Sequence, residues 1–150
     1  MTQDQIKQLT EIATTEAKKV FHKIPILGPV TWLMMHQSTT KFSLLCDIEW
    51  RVMPALVLDQ AKLYMKDESP LAFVSWAKLS DEVVARYKTP PHHLTPSDWK
   101  TGEQVWIVDM LVPFGGAQDV IKDLKENVFK GQTIYQLAPM PSGEVQVLTW

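Results

Sequence analysis

The stretch that most limits what this chain can fold into covers residues 104–116, Gln-Val-Trp-Ile-Val-Asp-Met-Leu-Val-Pro-Phe-Gly-Gly. From Gln104 to Val112 nearly every residue is apolar, with β-branched and aromatic types prevailing, which predicts a strand covered on both faces. Pro113 has no N–H to give to a ladder, so the strand stops or splays there. Gly115 and Gly116 then open a helical run over residues 117–129. One carboxylate, Asp109, interrupts the apolar run. A carboxylate in such a place is costly unless it is paired, hydrogen-bonded or turned toward a cleft. Two readings follow: an aspartate satisfied at a strand bulge, or one that lines a site where a strand splays and a helix begins.

A chain of 150 residues can bury one proper core, which predicts a single domain. Hydrophobic residues at 45% and charged residues at 21% are ordinary for a soluble globular protein. A net charge of −2 argues against a general nucleic-acid binder, which would carry a basic excess. The single cysteine, Cys46, permits no internal disulfide and suits a reducing cytosol, so a cytoplasmic location is expected. Neither a signal pattern nor a run of membrane-spanning length stands in the sequence.

Taken in order, residues 2–23 predict an amphipathic helix, with Ile6, Leu9, Ala13, Ala17, Val20 and Phe21 near helical spacing and lysines toward its C-terminal end. Pro25 and Gly28-Pro29 are expected to end it, and Pro29 to begin a second helix through His36. Residues 42–58 are apolar; the first half reads as helix, with a break or bend at Pro54. Residues 60–66 and 71–78 read as an antiparallel hairpin around Asp67-Glu68-Ser69-Pro70. Ser80-Asp81-Glu82 starts a short helix to Tyr87, and residues 95–99 form a helical turn inside a proline-rich loop. After the central strand and the 117–129 helix, residues 133–137 and 144–148 make two further strands. The order predicts an α/β (α+β) domain.

Chemistry is sparse. His92 and His93 are adjacent and no Cys/His/Glu set has ligand spacing, so no metal site is expected. His22 reads as a dipole partner at a helix end. His36 follows the apolar face Trp32–Met35 directly and is either a plain helix-end histidine or part of a site. Cys46 has acidic neighbours, Asp47 and Glu49, which disfavour a thiolate. Phe114-Gly115-Gly116 can present backbone N–H groups to an anion such as a phosphate. Lys122, Lys125 and Lys130 form either a solvated face or a dock for an acidic partner.

Four pieces together resemble the RTX toxin-activating lysine acyltransferases of the haemolysin-activator type. They are Leu-Gly-Pro-Val-Thr-Trp-Leu at 27–33, Pro-Leu-Ala-Phe-Val-Ser-Trp-Ala-Lys-Leu-Ser at 70–80, Trp99 followed by Gly102, and Trp-Ile-Val-Asp-Met-Leu-Val-Pro-Phe-Gly at 106–115. They stand in the family's order over residues 27–148, so residues 1–26 read as an N-terminal helical extension and 27–150 as the acyltransferase-like domain. The resemblance implies a fold similar to the Gcn5-related N-acyltransferases, a mixed central sheet flanked by helices that splays to admit a pantetheine arm. It also implies transfer of a fatty acyl group from acyl carrier protein, as a phosphopantetheine thioester co-substrate, to lysines of an RTX protoxin. No permanently bound cofactor is implied, and a homodimer is expected. Pro113, Gly115 and Gly116 would receive the donor arm and its phosphate, and Lys100, Lys122 and Lys125 would suit the acidic carrier. Ser75 and Trp76 of the second motif would line the site.

In the family a histidine and an aspartate share catalysis. Asp109 matches the aspartate. Aligning residues 27–33 without a gap puts Thr40 at the histidine's place, Lys41 where an arginine follows and Gln37 in place of a serine. Threonine is no base at neutral pH. Two accounts follow. In one, His36 substitutes, lying i, i+4 from Thr40 on one helix face, with Asp109 orienting the imidazole or the attacking amine. In the other the base is lost, leaving an enzyme that works by proximity or a protein that only binds its toxin or carrier partner. A dimeric adaptor, joined through an apolar patch such as Trp32, Met34 and Met35, is a third possibility.

Overall fold

The computed structural model describes residues Met1–Trp150. Its centre is a five-stranded sheet in sequence order: β1 (Ala61–Lys66), β2 (Ser69–Leu79), β3 (Gln104–Leu111), β4 (Ile134–Pro139) and β5 (Val145–Thr149). All neighbours are antiparallel except β3 and β4, which run parallel. A parallel pair needs a crossover, and α5 (Ala117–Asp123), continued by a π turn at Leu124–Val128, provides it. The mixed sheet flanked by helices is the expected class.

Helices cover both faces. On one face Val120, Ile121 and Leu124 pack against Val74, Trp76, Val105 and Ile107. On the other, α1 (Gln3–His36) and α3 (Met53–Val57) meet Phe73 and Leu111. Beside them α4 (Asp81–Tyr87) and the 3₁₀ turn Pro96–Trp99 close over Ala77, Leu79 and Trp106. Ser80 caps α4, accepting from the Val83 N–H at 3.3 Å, as its Ser-Asp-Glu start suggested.

Two expectations are corrected. The helix predicted to stop at Pro25 and restart at Pro29 is one helix of 34 residues, with both prolines inside it. Each interior proline costs roughly 3 kcal/mol relative to alanine. Burial of Val30, Leu33 and Met34, at about 2 kcal/mol each, offsets that cost, and half-buried Ile26 and Leu27 add to it. The carbonyls that lose a partner, those of Phe21 and Pro25, belong to exposed residues where water can satisfy them. Residues 42–46, expected to be helical, form turns instead, and helix resumes only in α2 (Asp47–Arg51) and α3. Pro54 sits in the first turn of α3, where its missing N–H is harmless.

Two irregularities in β3 shape the centre of the molecule. The β2–β3 register jumps between Ser75, opposite Asp109, and Trp76, opposite Ile107, so Val108 is an extra residue, a bulge. Strands β3 and β4 pair only through Val105, Trp106 and Ile107. Beyond Ile107 the edge of β3 that faces β4 is released, and the sheet splays.

Candidate active site at the splayed strand

Asp109 lies one residue past the bulge, 5% exposed and on the face covered by α1 and α3. Its backbone N–H reaches the buried Ser75 hydroxyl at 3.2 Å across the ladder. Its carboxylate is held by Arg51, the last residue of α2. The guanidinium Nε donates to Oδ2 at 2.7 Å and Nη2 to Oδ1 at 2.5 Å, a two-pronged pair. The Arg51 side chain is 23% exposed, so the pair sits just beneath the surface. Burial alone would lower the Arg51 pKa, but the hydrogen bonds and charge of Asp109 reverse this and raise it. The Tyr87 phenol is pushed up as well, first by burial and then by the nearby charge of Asp109.

The residues singled out from the sequence do not all converge. Ser75 adjoins Asp109, whereas the Trp76 ring turns to the opposite face and meets the edge of Phe129 at 5.1 Å. Thr40 is buried, and its hydroxyl donates to the Met34 carbonyl at 2.8 Å. His36, at the last turn of α1, is exposed, its ring tilted against those of Trp32 and Phe114 at centroid distances of 4.2 Å and 5.9 Å. Its Nδ1 lies 2.8 Å from the Trp32 carbonyl. A carbonyl only accepts, so Nδ1 is the donor there, and in a neutral ring Nε2 is the atom with the lone pair. His36 makes no hydrogen bond to Asp109, and Arg51 is the side chain that satisfies both carboxylate oxygens.

After β3 the chain turns through Pro113 and exposed Phe114 to Gly115 and Gly116, both near φ +90°. That left-handed backbone suits glycine and no other residue without strain. The two glycines border a crevice of about 200 Å³ with Tyr64, Leu71 and Asp119. Gln37, the residue after α1, reaches the released edge of β3 on the side that β4 has left.

Sequence reasoning missed Arg51. Its signal was there: the one lysine or arginine of residues 42–61, set between Trp50 and Val52.

The description of the RTX toxin acyltransferase family matches residues 19–150 of this chain. The chain belongs to this family. Among curated members, it is 35% identical to the leukotoxin-activating lysine-acyltransferase LktC of a Pasteurella haemolytica-like species over 117 residues, 77% of this chain and 70% of the relative. It is 32% identical to the lysine-acyltransferase RtxC of Vibrio cholerae, covering 69% of each. A longer, weaker match, 27% identity over 99% of this chain and 86% of the relative, is to an RTX-III toxin-activating lysine-acyltransferase of Actinobacillus pleuropneumoniae. The RTX toxin acyltransferase match begins inside α1, eight residues ahead of the first motif at Leu27. No helix of the structure is long and apolar enough to cross a membrane.

Proposed function

We propose that the protein transfers a fatty acyl group from the phosphopantetheine thioester of acyl carrier protein to lysine side chains of an RTX protoxin. The observation that carries this reading is the seam between β3 and β4, open beyond Ile107 next to the one buried carboxylate of β3. An extended arm bearing amides can lie along such an edge and pair with its backbone, as an added strand does. The arm's phosphate would meet the turn at Pro113, Gly115 and Gly116, and Lys100, Lys122 and Lys125 would face the acidic carrier.

The chemistry asks for few groups. A lysine ammonium, with a pKa of ~10.4 in water, must first lose a proton. The freed amine attacks the thioester carbonyl, a C–N bond forms, the C–S bond breaks, and the departing thiolate takes up a proton. In this proposal Nε2 of His36 accepts the amine's proton, the Trp32 carbonyl holds the imidazole, and Asp109 holds the amine in line. Backbone N–H groups freed at the seam steady the oxyanion. The same proposal takes the protein to be cytoplasmic, where its carrier is loaded, and homodimeric.

A second reading, an adaptor that binds toxin or carrier without turnover, is favoured by the Arg51 grip on both oxygens of Asp109 and by the engaged hydroxyl of Thr40. Incubation with acyl-loaded carrier protein and a protoxin segment, read by intact mass, separates the two. The enzyme reading expects lysine mass shifts that disappear in Asp109→Asn and His36→Ala. Binding of either partner with no mass shift selects the adaptor. Loss in Thr40→Ala with His36→Ala active removes His36 from the mechanism.

A further inference from the structure

The edge of β3 beyond the splay is not bare. The Asp109 N–H points toward β2, so by alternation the backbone groups of Met110 and Val112 point the other way, to the side β4 has left. Both engaged groups there are held by one side chain. Gln37 Nε2 donates to the Met110 carbonyl at 3.0 Å, and Gln37 Oε1 accepts from the Val112 N–H at 3.0 Å. A residue of a parallel strand lying opposite Leu111 would make this same donor and acceptor pair. The syn N–H and C=O of the Gln37 carboxamide therefore imitate the N–H and C=O that flank one Cα of a strand added at the seam.

We propose that Gln37 is the residue the acyl donor displaces, its carboxamide occupying the two backbone positions that the N–H of one amide and the C=O of the other take when the donor's pantetheine arm enters the seam. The inference rests on the donor reading above and gives it a competitor within the chain. Gln37 is half-buried and terminates α1, so rotation of its side chain frees both positions without opening the core. Until that rotation two backbone groups of the seam are engaged, which leaves less of an unpaired strand edge to recruit other chains. An arm carrying two amides, one turned to donate and the other to accept, can replace both bonds. A thiol ester whose arm lacks amides cannot.

The test uses the full chain and S-octyl-pantetheine, a thioether that cannot transfer its alkyl group. Titration calorimetry is expected to show Gln37→Ala binding this probe about three- to thirtyfold more tightly than wild type, the range for two exchanged amide hydrogen bonds. In wild-type protein labelled with 15N, the probe should move the Gln37 side-chain NH₂ pair toward its free-water position while the Val112 amide stays protected from exchange. This measurement stands even if Gln37→Ala folds poorly. A residue that merely braced β3 would give the opposite result, weaker binding in Gln37→Ala. Binding to wild type with the Gln37 signals unmoved, or equal or weaker binding to the variant, overturns the inference alone. Failure of the probe to bind either protein overturns the donor reading and the inference with it.

Discussion

At the scale of single residues, the pairing of Arg51 with Asp109 decides how the centre of the molecule tolerates change. A buried pair contributes little net stability, but removing one partner leaves the other desolvated and alone. Arg51→Met should therefore cost about 3 kcal/mol in urea unfolding, since Asp109 is 5% exposed and loses both bonds. Adding Asp109→Asn to Arg51→Met should recover part of that loss; strict additivity of the two single changes would show that the pair is uncoupled. A second carboxylate behaves differently. Asp123 accepts from Lys62 at 2.6 Å, Tyr64 at 2.6 Å and Asn127 at 2.9 Å, and these partners, Lys62 foremost, hold its pKa down to about 2. A depressed carboxylate adds stability above its unfolded value of ~3.9, and that contribution disappears as pH falls toward 2. The urea midpoints of wild type and Asp123→Asn should thus differ most above about pH 5 and converge near pH 2. A gap that is constant with pH would mean the bond between β1 and α5 is not ionic.

Elements show where sequence alone sufficed. The hairpin, the capped start of α4 and the turn after β3 were legible because each carries local chemistry: alternation, a serine cap, or glycines at positive φ. The long α1 was not, since prolines argue locally for a break and the packing that overrides them is distant. The surroundings of Asp109 were hidden for a related reason. Strict alternation would put Asp109 on one face with Val105 and Ile107, against α5, but the bulge at Val108 moves it to the α1 face. A bulge was one of the two readings open for Asp109, but its place at Val108 leaves no mark in one sequence, and neither does the choice of Arg51 as partner. The Trp99…Gly102 motif was visible as a pattern, and its cause is now plain. A Cβ at Gly102 would lie 2.5 Å from the Leu79 carbonyl oxygen and 2.5 Å from the Ser80 nitrogen, both backbone atoms. Gly102→Ala must push its loop away from the β2–α4 junction, and thermal denaturation should register a loss of about 1–3 kcal/mol. An unchanged melting temperature would mean the loop yields freely.

Across the whole molecule, stability is unevenly shared. From Gln3 to Phe21, α1 leaves Ile6, Leu9, Ile12 and Phe21 exposed, at 48%, 55%, 61% and 65%, while its buried residues all lie from Val30 onward. Deleting residues 1–18 should keep the melting temperature within about 2 °C, because almost no core is lost, and should remove helical circular dichroism in proportion. A large fall would show that this part of the helix is covered in solution. The single surplus residue in β3 has the widest reach of any feature described. Bulges add local twist, and Val108 applies it at the point where β3 parts from β4. The sheet resembles a book whose spine is one valine. Take that valine out, and Asp109 keeps its side by restored alternation while the pages close.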